Sequence, residues 1–185
     1  PPVWKFGTED QKQRYLVPGI KGEKIASLGI TEPGAGSDVA GIRTTARRDG
    51  DEYVINGSKI FITNGARADF ILLVTKTDPS ARHDGITLFL VDLKDEDGNP
   101  TPGFSVSRTL EKLGMHASDT AELAFEDVRV PAENLIGQEG KGFYHISWEL
   151  QGERLVGAIG CVAGAGVVSV RQAVSRRASG SRRAR

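Results

Sequence analysis

The spacing of apolar and polar positions along the chain changes twice. In GTEDQKQRYL (Gly7 to Leu16) it fits one short helix, with Thr8 as cap, Gln11 completing a capping box three residues later, and Pro18-Gly19 as the expected stop. From Lys24 to Val130 short apolar runs alternate with turn residues instead. Strands are predicted over Ile25 to Ile30, Thr44 to Arg48, Tyr53 to Asn56, Lys59 to Thr63, Phe70 to Lys76, Ile86 to Leu93, Phe104 to Thr109 and Ala121 to Val130. Asn56-Gly57 predicts a tight hairpin, and DPSARHDG, KDEDGNPTPG and EKLGMHASDT join later strands. With no helical pattern between them, these strands predict an antiparallel sandwich or barrel and argue against a doubly wound parallel sheet. After Pro131 the rhythm becomes helical: in FYHISWELQGERLVGAIGCVAGAGVV, Leu150, Glu153, Arg154 and Gly157 share one face. An acid on such a helix of small and apolar residues is either partnered or functional.

Composition narrows the classes. With 185 residues, 38% hydrophobic and 26% charged, the chain can bury one core. No uninterrupted apolar stretch nears the ~20 residues a membrane helix needs, and the first residues show no secretory pattern, so no membrane association is expected. Cys161 alone excludes an internal disulfide framework, and cysteine and histidine are too scattered for a zinc site. His83, His116 and His145 are assigned no role, and Trp148 is expected to pack its helix. The net charge of zero conceals six arginines, and no acid, between Val167 and Arg185. That end lacks aromatic residues for stacking on bases, which argues against nucleic-acid binding.

The sharpest local motif is TEPGAGSD (Thr31 to Asp38). Its Gly-x-Gly invites a dinucleotide reading, yet the third small residue is missing and extended chain follows where a helix is required. Two readings remain. Glycines, Thr31 and Ser37 could bring backbone N–H groups and hydroxyls against a phosphate-bearing ligand, or a Pro-Gly turn could simply be capped by Asp38.

TEPGAGSD, INGSKIFITNG (Ile55 to Gly65) and KLGMHASDTAELAFEDVRVPAENLIGQEGKGF (Lys112 to Phe143), in this order and spacing, resemble the middle domain of the acyl-CoA dehydrogenase family. The resemblance covers roughly residues 3–164. It implies a mainly β middle domain with a short N-terminal helix and a C-terminal helix, part of an α+β flavoenzyme. The implied organisation is residues 1–22 as the end of an N-terminal helical domain, 23–137 as the β domain, 138–174 as the first helix of a C-terminal domain, and 175–185 as a disordered basic tail. It further implies FAD-dependent α,β-dehydrogenation of an acyl-CoA thioester to the trans-2-enoyl-CoA.

By this resemblance Leu28, Ile30, Thr31, Gly36 and Ser37 face FAD, with Ser37 also at the substrate end. Phe61, Ile62 and Thr63 match a triplet that packs on the flavin ring and bonds near its N5; Phe61 stands where many members carry tryptophan. The plain alternative for this triplet is strand packing. Glu153 falls where isovaleryl- and long-chain-type members carry the base that removes the α-proton, and Gln151 and Arg154 would line the substrate channel. The alternative for Glu153 is a salt bridge with Arg154 or another cation.

Beyond Gly164 the resemblance stops, and the Ser/Arg-rich end reads as a truncation or a change of reading frame. The alternative function is therefore a catalytically inactive remnant or a partner-dependent binding fragment. The implied partners are acyl-CoA, an electron-transfer flavoprotein and, in full-length members, a homotetramer. The implied compartment is the bacterial cytoplasm or the mitochondrial matrix.

Overall fold

The computed structural model describes residues 2–180; residues up to Ile146 form one compact unit and those from Ser147 a second. The chain begins with α1 (Pro2–Phe6), α2 (Glu9–Gln11) and α3 (Val17–Lys21). The expected capping box is present: Gln11 N–H donates to Thr8 Oγ1 at 3.2 Å, and Thr8 N–H donates to Gln11 Oε1 at 3.0 Å. The expected stop at Pro18 is absent. A π turn over Lys12–Leu16, closed by Val17 N–H donating to Lys12 O, leads into α3, and Pro18 falls in its first turn. There a missing N–H leaves no intrahelical bond unmade. Gly22, at φ 77, provides the left-handed cap that ends the segment. Gln11 Nε2 donates to Glu133 O at 2.7 Å and Leu135 O at 2.8 Å, and Tyr15 OH donates to Asp92 at 2.7 Å, so the helical segment is fastened to the sheet.

The strands are β1 (Ala26–Gly29), β2 (Thr45–Asp49), β3 (Glu52–Thr63), β4 (Phe70–Lys76), β5 (Ile86–Asp92), β6 (Phe104–Thr109), β7 (Thr120–Pro131) and β8 (Leu135–Ile136). They form one mainly β sheet in the order β6-β7-β3-β2-β4-β5-β8, with β1 also on β4. The first six residues of both β4 and β5 are buried, which is why these strands read as continuous apolar runs rather than alternations. Tyr53, Ile55, Ile62, Leu73, Phe89 and Phe125 belong to the core they form with their neighbours.

Most pairings are antiparallel, as expected, but β1 and β2 both run parallel to β4. Because β5 occupies one edge of β4 along its whole length, β1 and β2 must share the other edge, at Phe70 to Leu73 and at Lys76. The chain leaves that edge after β1 and rejoins it at β2. The detour between them contains TEPGAGSD.

Asn56-Gly57 does not form the expected hairpin; β3 runs through it as one strand, with a register shift against β7. Asn56 Nδ2 donates to Asp127 Oδ1, and Asp127 N–H donates to Asn56 Oδ1, both at 2.9 Å, so the Asn side chain serves a cross-strand pair. The reversal lies earlier, at Gly50-Asp51, where Gly50 takes φ 65 and Asp49 pairs with Glu52.

The last element is α4 (Gly142–Gly180). Its first turns pack within the first unit: His145 stacks on Phe6 with ring centroids 4.0 Å apart, and Phe143 meets His83 at 4.3 Å. This helix runs past the expected boundary at Ser175. Of the expected basic tail, residues 181–185 lie outside the described residues. Between Gly142 and Ser169 this helix is long and apolar enough, by length and composition, to cross a membrane. The criterion of an uninterrupted apolar run passes over this segment because Glu149, Gln151, Glu153 and Arg154 break it into shorter pieces.

Gly57 has φ 150, and a Cβ there would lie 2.5 Å from Thr44 Oγ1. Gly57→Ala is therefore expected to destabilise the chain by roughly 2 to 3 kcal/mol, read as a lower urea midpoint with an unchanged slope.

Candidate functional site

The site grows out of the detour between β1 and β2. Glu32 and Ala35 exchange backbone hydrogen bonds, 2.9 Å from Glu32 N–H and 3.1 Å from Ala35 N–H, closing a turn over Pro33-Gly34. Turn chemistry is thus present, but Asp38 does not cap it. Its carboxylate pairs with Arg82 at 3.2 Å instead.

What pins the turn is Glu32. Its carboxylate accepts Arg43 N–H at 2.6 Å, Thr44 N–H at 3.0 Å and the Lys59 ammonium at 2.8 Å. Lys59 Nζ, fully buried on β3, also donates to Ile30 O at 3.0 Å. Burial pushes the Lys59 ammonium down to about 8, and its pairing with Glu32 opposes that fall. Burial pushes the Glu32 carboxyl up; Lys59, Thr44 and Arg43 outweigh it and hold the group below the usual carboxylate range.

Beside this pair, Ile60 N–H donates to Thr31 O at 2.9 Å, so the loop lies along β3 immediately before Phe61. There β3 bulges: Lys59 pairs with Leu123 and Ile62 with Ala121, leaving one extra residue on β3. Phe61 takes φ 62, a left-handed conformation that is strained for an aromatic residue, and is 63% exposed. Asn64, also left-handed at φ 61, donates from Nδ2 to Ala26 O at 3.3 Å.

The segment containing Leu28, Ile30 and Thr31 is therefore bonded at both ends to the stretch holding Phe61, Ile62 and Thr63. Phe61 and Thr63 are exposed, whereas Ile62 is 2% exposed and packs in the core, leaving only its backbone for a ligand. Gly36 and Ser37 are exposed on the loop. Among the described residues their backbone N–H groups donate to no protein acceptor, and the hydroxyls of Thr31 and Ser37 make no hydrogen bond.

Gln151, Glu153 and Arg154 lie on α4 in the second unit, and all three are exposed. Among the described residues Glu153 enters no ion pair, so the expected alternative of a salt bridge with Arg154 is not formed.

Sequence reasoning missed Lys59 and Glu32. The signal was a lysine inside the strand run INGSKIFIT, directly before the apolar Ile60-Phe61-Ile62.

These features define a β domain in which an exposed Ser37, unbonded backbone N–H groups and an exposed aromatic ring on a strained backbone belong to one loop and the bulge it is bonded to. A family signature described as acyl-CoA dehydrogenase, middle domain, matches residues 27–128, and the chain belongs to the acyl-CoA dehydrogenase family. It is 48% identical over 155 residues to the short-chain specific acyl-CoA dehydrogenase of Megasphaera elsdenii, covering 83% of this chain and 39% of that protein. To the mitochondrial long-chain specific acyl-CoA dehydrogenase of Mus musculus it is 46% identical over 158 residues, 84% of this chain and 35% of the relative. The crystal structure of an acyl-CoA dehydrogenase from Geobacillus kaustophilus matches 84% of the chain and 40% of its own with a TM-score of 0.78 at 54% identity. The chain thus spans well under half the length of these relatives.

The ion pair should show in pH dependence. Because the Glu32 carboxyl lies lower folded than unfolded, its contribution is present above its ordinary value of 4.5 and is lost as pH falls through the lower folded value. Urea unfolding in steps below pH 5 should fall less steeply for Glu32→Gln than for the parent chain. Lys59 acts in the same direction at higher pH. Between about 8 and 10.5 the unfolded chain binds the extra proton, so this group makes stability rise with pH over that window.

Proposed function

We propose that this chain supplies the flavin- and acyl-CoA-binding middle portion of an acyl-CoA dehydrogenase, which converts an acyl-CoA thioester to the trans-2-enoyl-CoA with FAD. The observation that carries this reading is the pairing of the TEPGAGSD loop with the strained, exposed Phe61 bulge. Residues assigned to FAD on two separate stretches of sequence are brought side by side there.

The exposed groups suit such a ligand. Phe61 offers a flat apolar face for a fused ring, and the Thr31 and Thr63 hydroxyls offer hydrogen bonds to its polar edges. The Gly36 and Ser37 amides offer donors to a pyrophosphate, and Ser37 also lies at the substrate end. Leu28 and Ile30 line the same edge, and Ile62 contributes backbone. These residues would hold FAD, which would supply a hydride acceptor for the substrate β-carbon.

Glu153 takes the α-proton on its carboxylate, with Gln151 and Arg154 along the substrate path. That role needs an apolar enclosure that keeps water from the carboxylate. Such an enclosure requires protein beyond the described residues, since Glu153 is exposed on α4. An electron-transfer flavoprotein then takes up the electrons, and the complete enzyme is a homotetramer of the bacterial cytoplasm or the mitochondrial matrix. The exposure of Glu153 also favours a second reading, in which this chain binds ligand without turning it over.

Addition of FAD to the purified chain should produce bound flavin, retained through gel filtration, and addition of an acyl-CoA should bleach its visible band. Bound flavin without bleaching favours the second reading, and no bound flavin excludes both. In the complete enzyme, Glu153→Gln should leave flavin bound while slowing its reduction by roughly 10²- to 10⁴-fold, followed by stopped-flow absorbance. Reduction at the parent rate would place the base elsewhere. Thr31→Ala should weaken flavin binding about fivefold, the effect of one lost hydrogen bond of about 1 kcal/mol.

A further inference from the structure

Two irregular stretches make up the ligand-facing edge: the loop after β1, containing a proline and two glycines, and the bulge on β3. Neither has a full ladder of backbone bonds to hold it. Three consecutive bonds join them instead: Lys59 Nζ to Ile30 O at 3.0 Å, Ile60 N–H to Thr31 O at 2.9 Å, and Lys59 Nζ to Glu32 Oε1 at 2.8 Å. Thr31 lies between the two acceptors of Lys59, and Phe61 lies two residues beyond Lys59 on the same strand. Glu32 carries the connection onward to Arg43 and Thr44, the residues that lead into β2.

Resting on the flavin reading above, we propose that Lys59 is a positioning residue: through Ile30 O and Glu32 it sets Thr31 at a fixed distance from Phe61 and Thr63. The two stretches then meet the flavin as one preformed edge.

A buried ion pair is a poor choice for stability alone, because well-packed apolar residues of the same volume often do as well or better. An ammonium does what an apolar side chain cannot. With three donors it can hold a carbonyl and a carboxylate at once, and so fixes one loop against one strand. Lys59 is fully buried, with Ile30 O and Glu32 as its acceptors among the described residues, so its effect on a ligand must pass through Thr31 and Phe61. Preforming this edge spares the ligand the cost of ordering it, which raises affinity.

The test uses the purified chain and two variants, Lys59→Met and Lys59→Met/Glu32→Gln, with amide hydrogen exchange and FAD titration as readouts. In Lys59→Met, exchange at Ile60, Arg43 and Thr44 should rise at least tenfold while Leu72 and Leu90, within β4 and β5, keep their protection. FAD affinity should fall by about the same factor, and the visible spectrum of bound flavin should move toward that of free FAD. The double variant leaves no buried unpaired charge; it should recover urea stability without recovering FAD affinity or spectrum. If Lys59→Met does not fold, the double variant carries the comparison with the parent.

Unchanged exchange at Ile60, or parent-like FAD affinity and spectrum in the double variant, would overturn the proposal. Failure of the unsubstituted chain to bind FAD would overturn it too. That outcome is told apart as a failure of the flavin reading, because the exchange pattern of the variants would stand unaltered.

Discussion

Lys59 places a positive charge where the sheet has no water to offer it, and the loop after β1 is arranged around that constraint. The ammonium has to find acceptors inside the protein, and Ile30 O and Glu32 supply them. Glu32 in turn needs more than one partner to remain ionised out of water, and the amides of Arg43 and Thr44 meet that need. Each requirement fastens another part of the loop. A stretch whose composition would leave it pliable is held along β3 by electrostatics rather than by a strand ladder.

The same edge stores strain. Phe61 adopts a left-handed backbone conformation, which an aromatic residue takes up only when its surroundings demand it, whereas Asn64 tolerates the same region. The bulge turns Phe61 outward while its neighbour Ile62 stays in the core, so one strand both packs the core and leaves an aromatic ring exposed. Helix α4 contributes differently. It presents Gln151, Glu153 and Arg154 on an exposed surface, and the chain covers 39% of its Megasphaera relative. The edge formed by the loop and the bulge is thus built within the first unit, whereas Glu153 is exposed on α4.

Much of the fold was legible because short-range chemistry dictates it. The capping box at Thr8 and Gln11 depends on residues three apart, and β4 and β6 begin and end where apolar and turn residues do. Misreadings arose where a local signal met a distant partner. Asn56-Gly57 has hairpin chemistry, but Asp127 claims the asparagine side chain and Thr44 crowds the glycine. Pro18 has the chemistry of a stop, but the π turn before it moves it into the first turn of α3. For the site, the order and spacing of motifs pointed to Thr31, Ser37 and Phe61, while the pair that holds them escaped notice, because neither Glu32 nor Lys59 announces its partner 27 residues away.

By itself the sequence determined the strand content, the capped N-terminal turn and the family, since each is written in neighbouring residues or in an ordered set of motifs. Only the tertiary structure decided that β1 and β2 share one edge of β4, that Phe61 points out while Ile62 packs inward, and that Lys59 meets Glu32. Those outcomes depend on which groups remain without a partner once the sheet is assembled, and a buried charge or an unpaired edge is resolved by whatever the fold brings within reach.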